Sequence, residues 1–365
     1  MKDRTYFLGF SAFPGIGPIK FEKLLKKFGS AKNAWTGTGE ELEPIIGKTL
    51  FPKFDKFRSE FDLGKYEKEL AGKKISYITL SDKAYPPLLK QIPNPPIILY
   101  IKGNTALIHP EKLENLRMIA IVGTRKITNY GRDVTELFSS SLAQSGIIIV
   151  SGLAIGVDAK AHISCLEVEG KTIAVLGNGV DLPFPSNNKG LYDRILKSGG
   201  AIISEFPPGE PPSKGSFPSR NRIIAGLSDG VLVTEGAKDS GSLITANYGL
   251  EFGRKVFAVP GPITSSLSAA PLRLIEKGAK LVVSPEDVLR ELKVKSAKLK
   301  VEGIIRGDTK EEQKIIQLLE NESLGFDEIV RRLKLDPSKL ATTLSLMEMK
   351  GIIKSESGGK FSLNL

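Results

Sequence analysis

From residue 117 onward, short apolar runs recur with room for a helix between most of them: MIAIVG, IIIVSG, TIAVLG, AIISE, GVLVTE, KVFAVPG and KLVVS. Runs this short and this continuously apolar read as strands covered on both faces, and covering both faces requires crossover helices. The pattern predicts an α/β fold built on an extended Rossmann-like, doubly wound and mainly parallel sheet. A chain of 365 residues exceeds one ordinary domain, so flanking domains are expected on either side.

Residues 1–65 read as a helical domain similar to SAM or helix-hairpin-helix modules. FPGIGPIKFEKLLKKFGS makes a tight turn at Gly15 to Gly17, sets Phe21, Leu24, Leu25 and Phe28 on one helical face, and closes with Gly29 as C-cap. The sheet domain is expected over 66–290, entered through the proline-rich AYPPLLKQIPNPPIILYIKGN with ILYI as a short strand. A lysine-rich linker, 291–307, separates it from a winged helix over 308–365. There Thr309 and Glu312 form a capping box, Asp336-Pro337 opens a third helix, and IIKSESGGKFSL reads as strand, turn, strand.

Composition narrows the chemistry. Hydrophobic residues make up 41% and charged residues 25%, which is globular, and no apolar run approaches the ~18 residues that span a bilayer. No membrane association is expected. The start, MKDRTYFLGF, lacks the apolar core of a signal peptide, and a single cysteine, Cys165, excludes a disulfide framework, so a cytoplasmic location is expected. With only His109 and His162 beside it, a His/Cys zinc site is excluded as well. Neither metal nor cofactor is expected. A formal charge of +11 favours a polyanionic partner.

The strands run into GTR (123–125), SGLAIGVD (151–158), GNGVD (177–181), SEFPPG (204–209), TEGAKDSGS (234–242) and PGPITSS (260–266). In a parallel sheet these tips share one edge, where amides and helix N-termini meet a ligand. Tight turns alone account for one such tip, but poorly for six, and a phosphate site is the natural reading. No GxGxxG follows the first strand and no ribose-binding acid follows the second, which argues against a dinucleotide. GKT occurs at 47–49 and 170–172, but Leu42 and Cys165 stand where a phosphate-binding loop needs its first glycine.

KGSFPSRNRII then supplies the charge, between the fourth and fifth of these strands. Arg125, Arg220 and Arg222 offer planar forks for phosphate oxygens, Lys214 adds a mobile point charge, and Phe217 presents a ring on which a base can stack. A basic track with an aromatic suits an unpaired strand. Structural roles compete: Phe217 as a core contact, one arginine in an ion pair with Glu205 or Glu235, Asn221 as a turn or cap. Asp158 and His162, four apart on a helix, are expected to make a structural hydrogen bond.

GTR, SGLAIGVDAKAH, LGNGVDLPFPSNN, SEFPPG, FPSRNRIIAGLS and SGSLITANYGLEFGRKVFAVPG, in this order, closely resemble the DNA-processing protein A family, also called Smf, over roughly residues 80–290. The resemblance implies a homodimer that binds single-stranded DNA without cutting it. It further implies protection of incoming DNA in natural transformation, relief of the barrier set by single-strand-binding protein, and loading of RecA recombinase. Carried over by motif, the pocket comprises Gly123, Thr124 and Arg125, Lys214 and Phe217, then Arg220 and Asn221, with donors from Ser240, Gly241 and Ser242. The chain departs from the family pattern at Phe184, where tyrosine is usual, and at Ala270 and Leu272, where glycine and asparagine are common. Two rivals remain. A phosphoribohydrolase-like enzyme of the lysine-decarboxylase-like group would need a carboxylate where Thr245 or Ala246 stands. A regulator acting through its winged helix would need a more basic third helix than Ser338, Lys339, Thr342, Ser345 and Glu348 provide.

Overall fold

All seven apolar runs become strands of one nine-stranded sheet. The computed structural model describes residues 2–109, 117–294, 309–319, 323–333, 335–356 and 359–363. The chain divides into two compact units, Met1–Ala297 and Lys298–Leu365.

In the first unit, helices α1 (Asp3–Ala12), α2 (Pro18–Phe28), α3 (Ala31–Thr36), α4 (Gly39–Ile46), α5 (Phe51–Glu60) and α6 (Leu63–Gly72) lead into β1 (Ser76–Thr79), α7 (Pro87–Lys90) and β2 (Ile98–Gly103). Alternation then takes over: β3 (Met118–Val122), α8 (Asn129–Gln144), β4 (Ile148–Ser151), α9 (Val157–Glu167), β5 (Thr172–Val175), α10 (Lys189–Lys197) and β6 (Ala201–Ser204). The chain continues through α11 (Ser216–Leu227), β7 (Gly230–Val233), α12 (Gly241–Glu251), β8 (Lys255–Ala258), α13 (Ala269–Glu276), β9 (Lys280–Leu281) and α14 (Pro285–Glu291).

The strand order is β1-β2-β6-β5-β4-β3-β7-β8-β9. Strands β3 to β9 pair in parallel, while β1 with β2 and β2 with β6 are antiparallel. Every residue of β3 to β7 is buried, the burial that continuous apolar runs require. The chain winds outward from β3 to β6, returns to lay β7 beside β3, and winds outward again. The connections after β3 and β7 therefore diverge, and a crevice opens between those two tips.

The expected boundary at 65/66 is crossed by a shared core. Phe7, Phe10, Phe21, Trp35 and Phe54 belong to the same buried cluster as Tyr100, Leu176 and Ile202 from the sheet. Aromatic edges interlock, Phe7 on Phe21 at 4.9 Å and Phe10 on Trp35 at 5.2 Å, and Tyr100 Oη donates to Ser11 Oγ at 3.1 Å. The helical segment and the sheet form one compact unit because each supplies part of the other's cover.

The second unit holds α15 (Lys310–Leu319), β10 (Leu324–Gly325), α16 (Phe326–Leu333), α17 (Pro337–Met349), β11 (Ile353–Glu356) and β12 (Lys360–Leu363). Its sheet runs β10-β12-β11, over a core that includes Ile316, Ile329, Leu344 and Met347. The expected caps form: Thr309 Oγ1 accepts from Glu312 N at 3.1 Å, and Asp336 Oδ1 accepts from Lys339 N at 3.0 Å. Three helices and a β-ribbon make the expected winged helix. Most of the predicted linker lies outside the described residues. Among the described residues no helix is long and apolar enough to cross a membrane.

A shared core predicts shared cooperativity. Phe10→Ala should lower stability by about 3–5 kcal/mol. Urea unfolding followed by Trp35 fluorescence and by far-ultraviolet circular dichroism should shift together; loss of the Trp35 signal alone would make the helices an independent domain.

Candidate functional site

The crevice between the tips of β3 and β7 is a cavity of about 590 Å³. Its walls come from the GTR turn, from the start of α11 with Lys214 just before it, and from the residues that open α12. Gly123, Thr124, Arg125, Lys214, Phe217, Arg220, Asn221, Ser240, Gly241 and Ser242 all line it.

Two glycines let the walls meet. Gly156 has φ +85, and a Cβ there would lie 2.2 Å from Thr124 O, so only glycine lets the β4 tip pass beneath the GTR turn. A Cβ on Gly152 would lie 2.5 Å from the Arg220 guanidinium. By contrast, nothing lies within 4 Å of a Cβ on Gly241; the opening of α12 faces free space. Ser240 caps that helix, its Oγ accepting from Ser242 N at 3.3 Å and lying 2.8 Å from Ser242 Oγ.

The GTR turn is pinned by Glu235, from the tip of β7. Glu235 O accepts from Thr124 N at 2.8 Å. Its carboxylate accepts from Thr128 N at 3.1 Å and from Thr128 Oγ1 at 2.6 Å, which caps the approach to α8. The Thr124 amide is thereby committed to the fold. Arg125, exposed at the end of the turn, makes no hydrogen bond or ion pair among the described residues.

The cations divide into two kinds. Arg125 and Lys214 are exposed and have no carboxylate partner among the described residues. Arg220 and Arg222 are only 5% and 8% exposed. Arg220 donates through Nη1 to Gly152 O at 2.6 Å and to Val175 O, and through Nε to Asn221 Oδ1 at 3.2 Å. Burial, opposed by Asp158 and reinforced by the charge on Arg125, pushes Arg220 down to about 10. Arg220 therefore lines the floor while holding the tips of β4 and β5 together. Arg222 pairs with Glu205, in a separate cavity of about 350 Å³ against the Phe13–Pro18 turn. The expected ion pair to Glu205 thus claims Arg222, which does not line the crevice.

Phe217 is half-buried in the wall. Arg125 Cζ lies 5.7 Å from its ring centroid, and the Phe184 ring stacks on it at 5.7 Å and 29°. Asn221 Nδ2 reaches Gly241 O at 3.4 Å, bridging α11 to α12 as a turn-holding group.

Asp158 and His162 have separate structural partners in place of the expected mutual bond. Asp158 Oδ2 accepts from Gly152 N at 3.0 Å; burial raises its carboxyl and Arg220 opposes that shift. His162 Nδ1 lies 2.6 Å from Thr172 Oγ1, and burial, with Arg220 adding to it, pushes the ring down to about 3. Asp239, an exposed carboxylate on the rim beside Ser240, was not singled out from the sequence, since KDSGS reads there as a turn. Among the described residues no cluster of metal-ligating side chains occurs.

The family model for DNA recombination-mediator protein A matches residues 76–293, and the DprA winged helix domain matches 304–359. The chain belongs to the DNA recombination-mediator protein A family. Protein Smf of Synechocystis is 40% identical over 292 residues, which cover 80% of this chain and 73% of that protein. DNA processing protein DprA of Bacillus subtilis is 44% identical over 218 residues, 60% of this chain and 71% of that one. Among solved structures, DprA from Streptococcus pneumoniae superimposes with a TM-score of 0.69 at 37% identity, covering 80% of this chain and 99% of that chain. DNA processing protein A from Helicobacter pylori, described for its single-stranded DNA binding mode, gives 0.53 at 32% identity, covering 60% and 96%. The family match spans the whole parallel sheet, and so includes every residue that lines the crevice.

Two outcomes follow from these contacts. Glu235→Ala removes the acceptor for both Thr128 donors and should cost about 1–3 kcal/mol in urea unfolding. His162 binds its proton near 6.5 in the unfolded chain and near 3 in the native one. Its contribution is therefore whole above pH 6.5 and is lost as the pH falls toward 3. Between pH 6 and 4, His162→Asn should flatten the stability-versus-pH slope by about 1.4 kcal/mol per unit; parallel wild-type and variant curves would show that the ring is protonated in the fold.

Proposed function

We propose that this protein binds single-stranded DNA in the crevice between β3 and β7 and acts as a recombination mediator without catalysing a reaction. The observation that carries the reading is the placement of two exposed cations without a carboxylate partner among the described residues, Arg125 and Lys214, around the open N-terminus of α12. Phosphates accept from the Gly241 amide at the opening of α12 and from both side chains, which need not be pulled out of existing ion pairs first. Arg220 contributes charge from below. Arg222 is left out, being committed to Glu205. The Helicobacter pylori relative, whose single-stranded DNA binding has been described, supports the choice of ligand.

For the physiological role we propose what the family resemblance implies: protection of incoming DNA in natural transformation and assistance in loading RecA, by a cytoplasmic homodimer working against single-strand-binding protein. The phosphoribohydrolase-like alternative has no carboxylate at the position its motif requires. Thr245 and Ala246 are buried in α12 at 1% and 0% exposure, Glu235 is held by Thr128, and Glu205 faces Arg222 in the other cavity. No one of these can reach a glycosidic bond in the crevice.

Fluorescence anisotropy of single- and double-stranded oligonucleotides over a salt series tests the proposal. Single strands should bind more tightly, with little dependence on base sequence and a slope of log affinity against log salt of roughly −0.7 per neutralised phosphate. Arg125→Ala and Lys214→Ala should each weaken binding and flatten that slope by about 0.7. Wild-type affinity and slope in both variants would place the strand elsewhere. Release of free base from a nucleoside monophosphate would restore the enzyme.

A further inference from the structure

The ring expected to carry a base, Phe217, already has neighbours. Arg125 Cζ and the Phe184 ring each sit 5.7 Å from its centroid, and the rest of the side chain is half-buried in the crevice wall. Phe184 is the open ring of the group, 40% exposed. We propose that Phe184 is the base-stacking platform of this interface, receiving a nucleobase of a strand whose phosphates lie on Arg125 and Lys214. The inference rests on the single-stranded DNA reading above and adds to it a residue at which the chain departs from its family's usual tyrosine.

Three observations support it. First, Arg125 and Phe184 both pack on the Phe217 ring, and a base laid on the exposed Phe184 ring need not displace Arg125 from the phosphates. Second, the loop that carries Phe184 is held in place: Asn178 Nδ2 donates to Leu182 O at 2.6 Å, Asn188 Nδ2 to Leu153 O at 2.8 Å, and Tyr192 Oη to Val180 O at 2.6 Å. An exposed ring on an anchored loop loses little freedom when a ligand arrives. Third, a phenylalanine has no hydroxyl with which to read a base edge. It recognises only the π-face that every base shares, which suits a ligand of arbitrary sequence.

Oligonucleotides carrying 2-aminopurine at successive positions, titrated in parallel with anisotropy, test the assignment. With wild-type protein, emission should change at one or two positions. Phe184→Ala and Phe184→Leu should weaken affinity about 5- to 100-fold, abolish that change and leave the salt slope unaltered. The leucine variant keeps an apolar cover over Phe217, so its loss isolates the π-face from packing. Phe184→Tyr and Phe184→Trp should restore binding. Wild-type affinity and emission in Phe184→Leu would overturn the assignment while leaving the DNA reading intact. Failure of the wild-type protein to bind any oligonucleotide would overturn both.

Discussion

Glu235 ties together the two halves of the sheet at the point where their connections part. Its carbonyl takes the Thr124 amide and its carboxylate takes the amide and hydroxyl of Thr128, so the tip of β7 fixes the turn after β3 across the crevice. A 4% exposed carboxylate survives there because the two Thr128 donors replace its water. The consequence reaches the ligand side. With Thr124 N committed inward, the turn leaves Arg125 exposed to solvent.

The arginines divide along the same line between holding the fold and facing solvent. Burying a guanidinium is costly unless its donors are met, and Arg220 meets that cost with the carbonyls of Gly152 and Val175 and with Asn221. Arg222 meets it in part, its Nη2 pairing with Glu205 while its Nη1 has no hydrogen-bond partner among the described residues. Both are fixed parts of the scaffold. Arg125 and Lys214 pay no such cost, being hydrated at the surface, and the counterions around them can be released when a polyanion arrives. The charge on Arg125 also disfavours the charge on Arg220, a local strain that a phosphate between them would relieve.

Period and punctuation made the parallel sheet legible: apolar runs long enough for a strand, with glycine and serine at their ends, admit few other folds. The six tips were legible as one edge for the same reason. What sequence could not separate was Arg220 from Arg222 or either from Arg125, since burial depends on which carbonyls and carboxylates the fold brings near. The i, i+4 spacing of Asp158 and His162 suggested a mutual hydrogen bond, but their partners, Gly152 N and Thr172 Oγ1, come from the tip of β4 and from β5, and no local pattern encodes that. The merger of the N-terminal helices with the sheet was hidden similarly. Their aromatic faces looked sufficient for a small core, and only the pairing of β2 with β6 brings Tyr100 beneath them.

The carboxylates near the crevice fit the proposal that it holds a strand without cleaving it. Hydrolysis needs an acid or base aimed at the bond and free to exchange a proton. Glu235 and Glu205 are held by Thr128 and by Arg222 with Ser219, and Asp158 is buried against Gly152 N beneath Arg220. Asp239 alone is exposed on the rim, and a lone carboxylate beside phosphates repels them more readily than it attacks. For the proposed strand, the same rim favours a path toward Arg125 and Lys214 and away from Asp239.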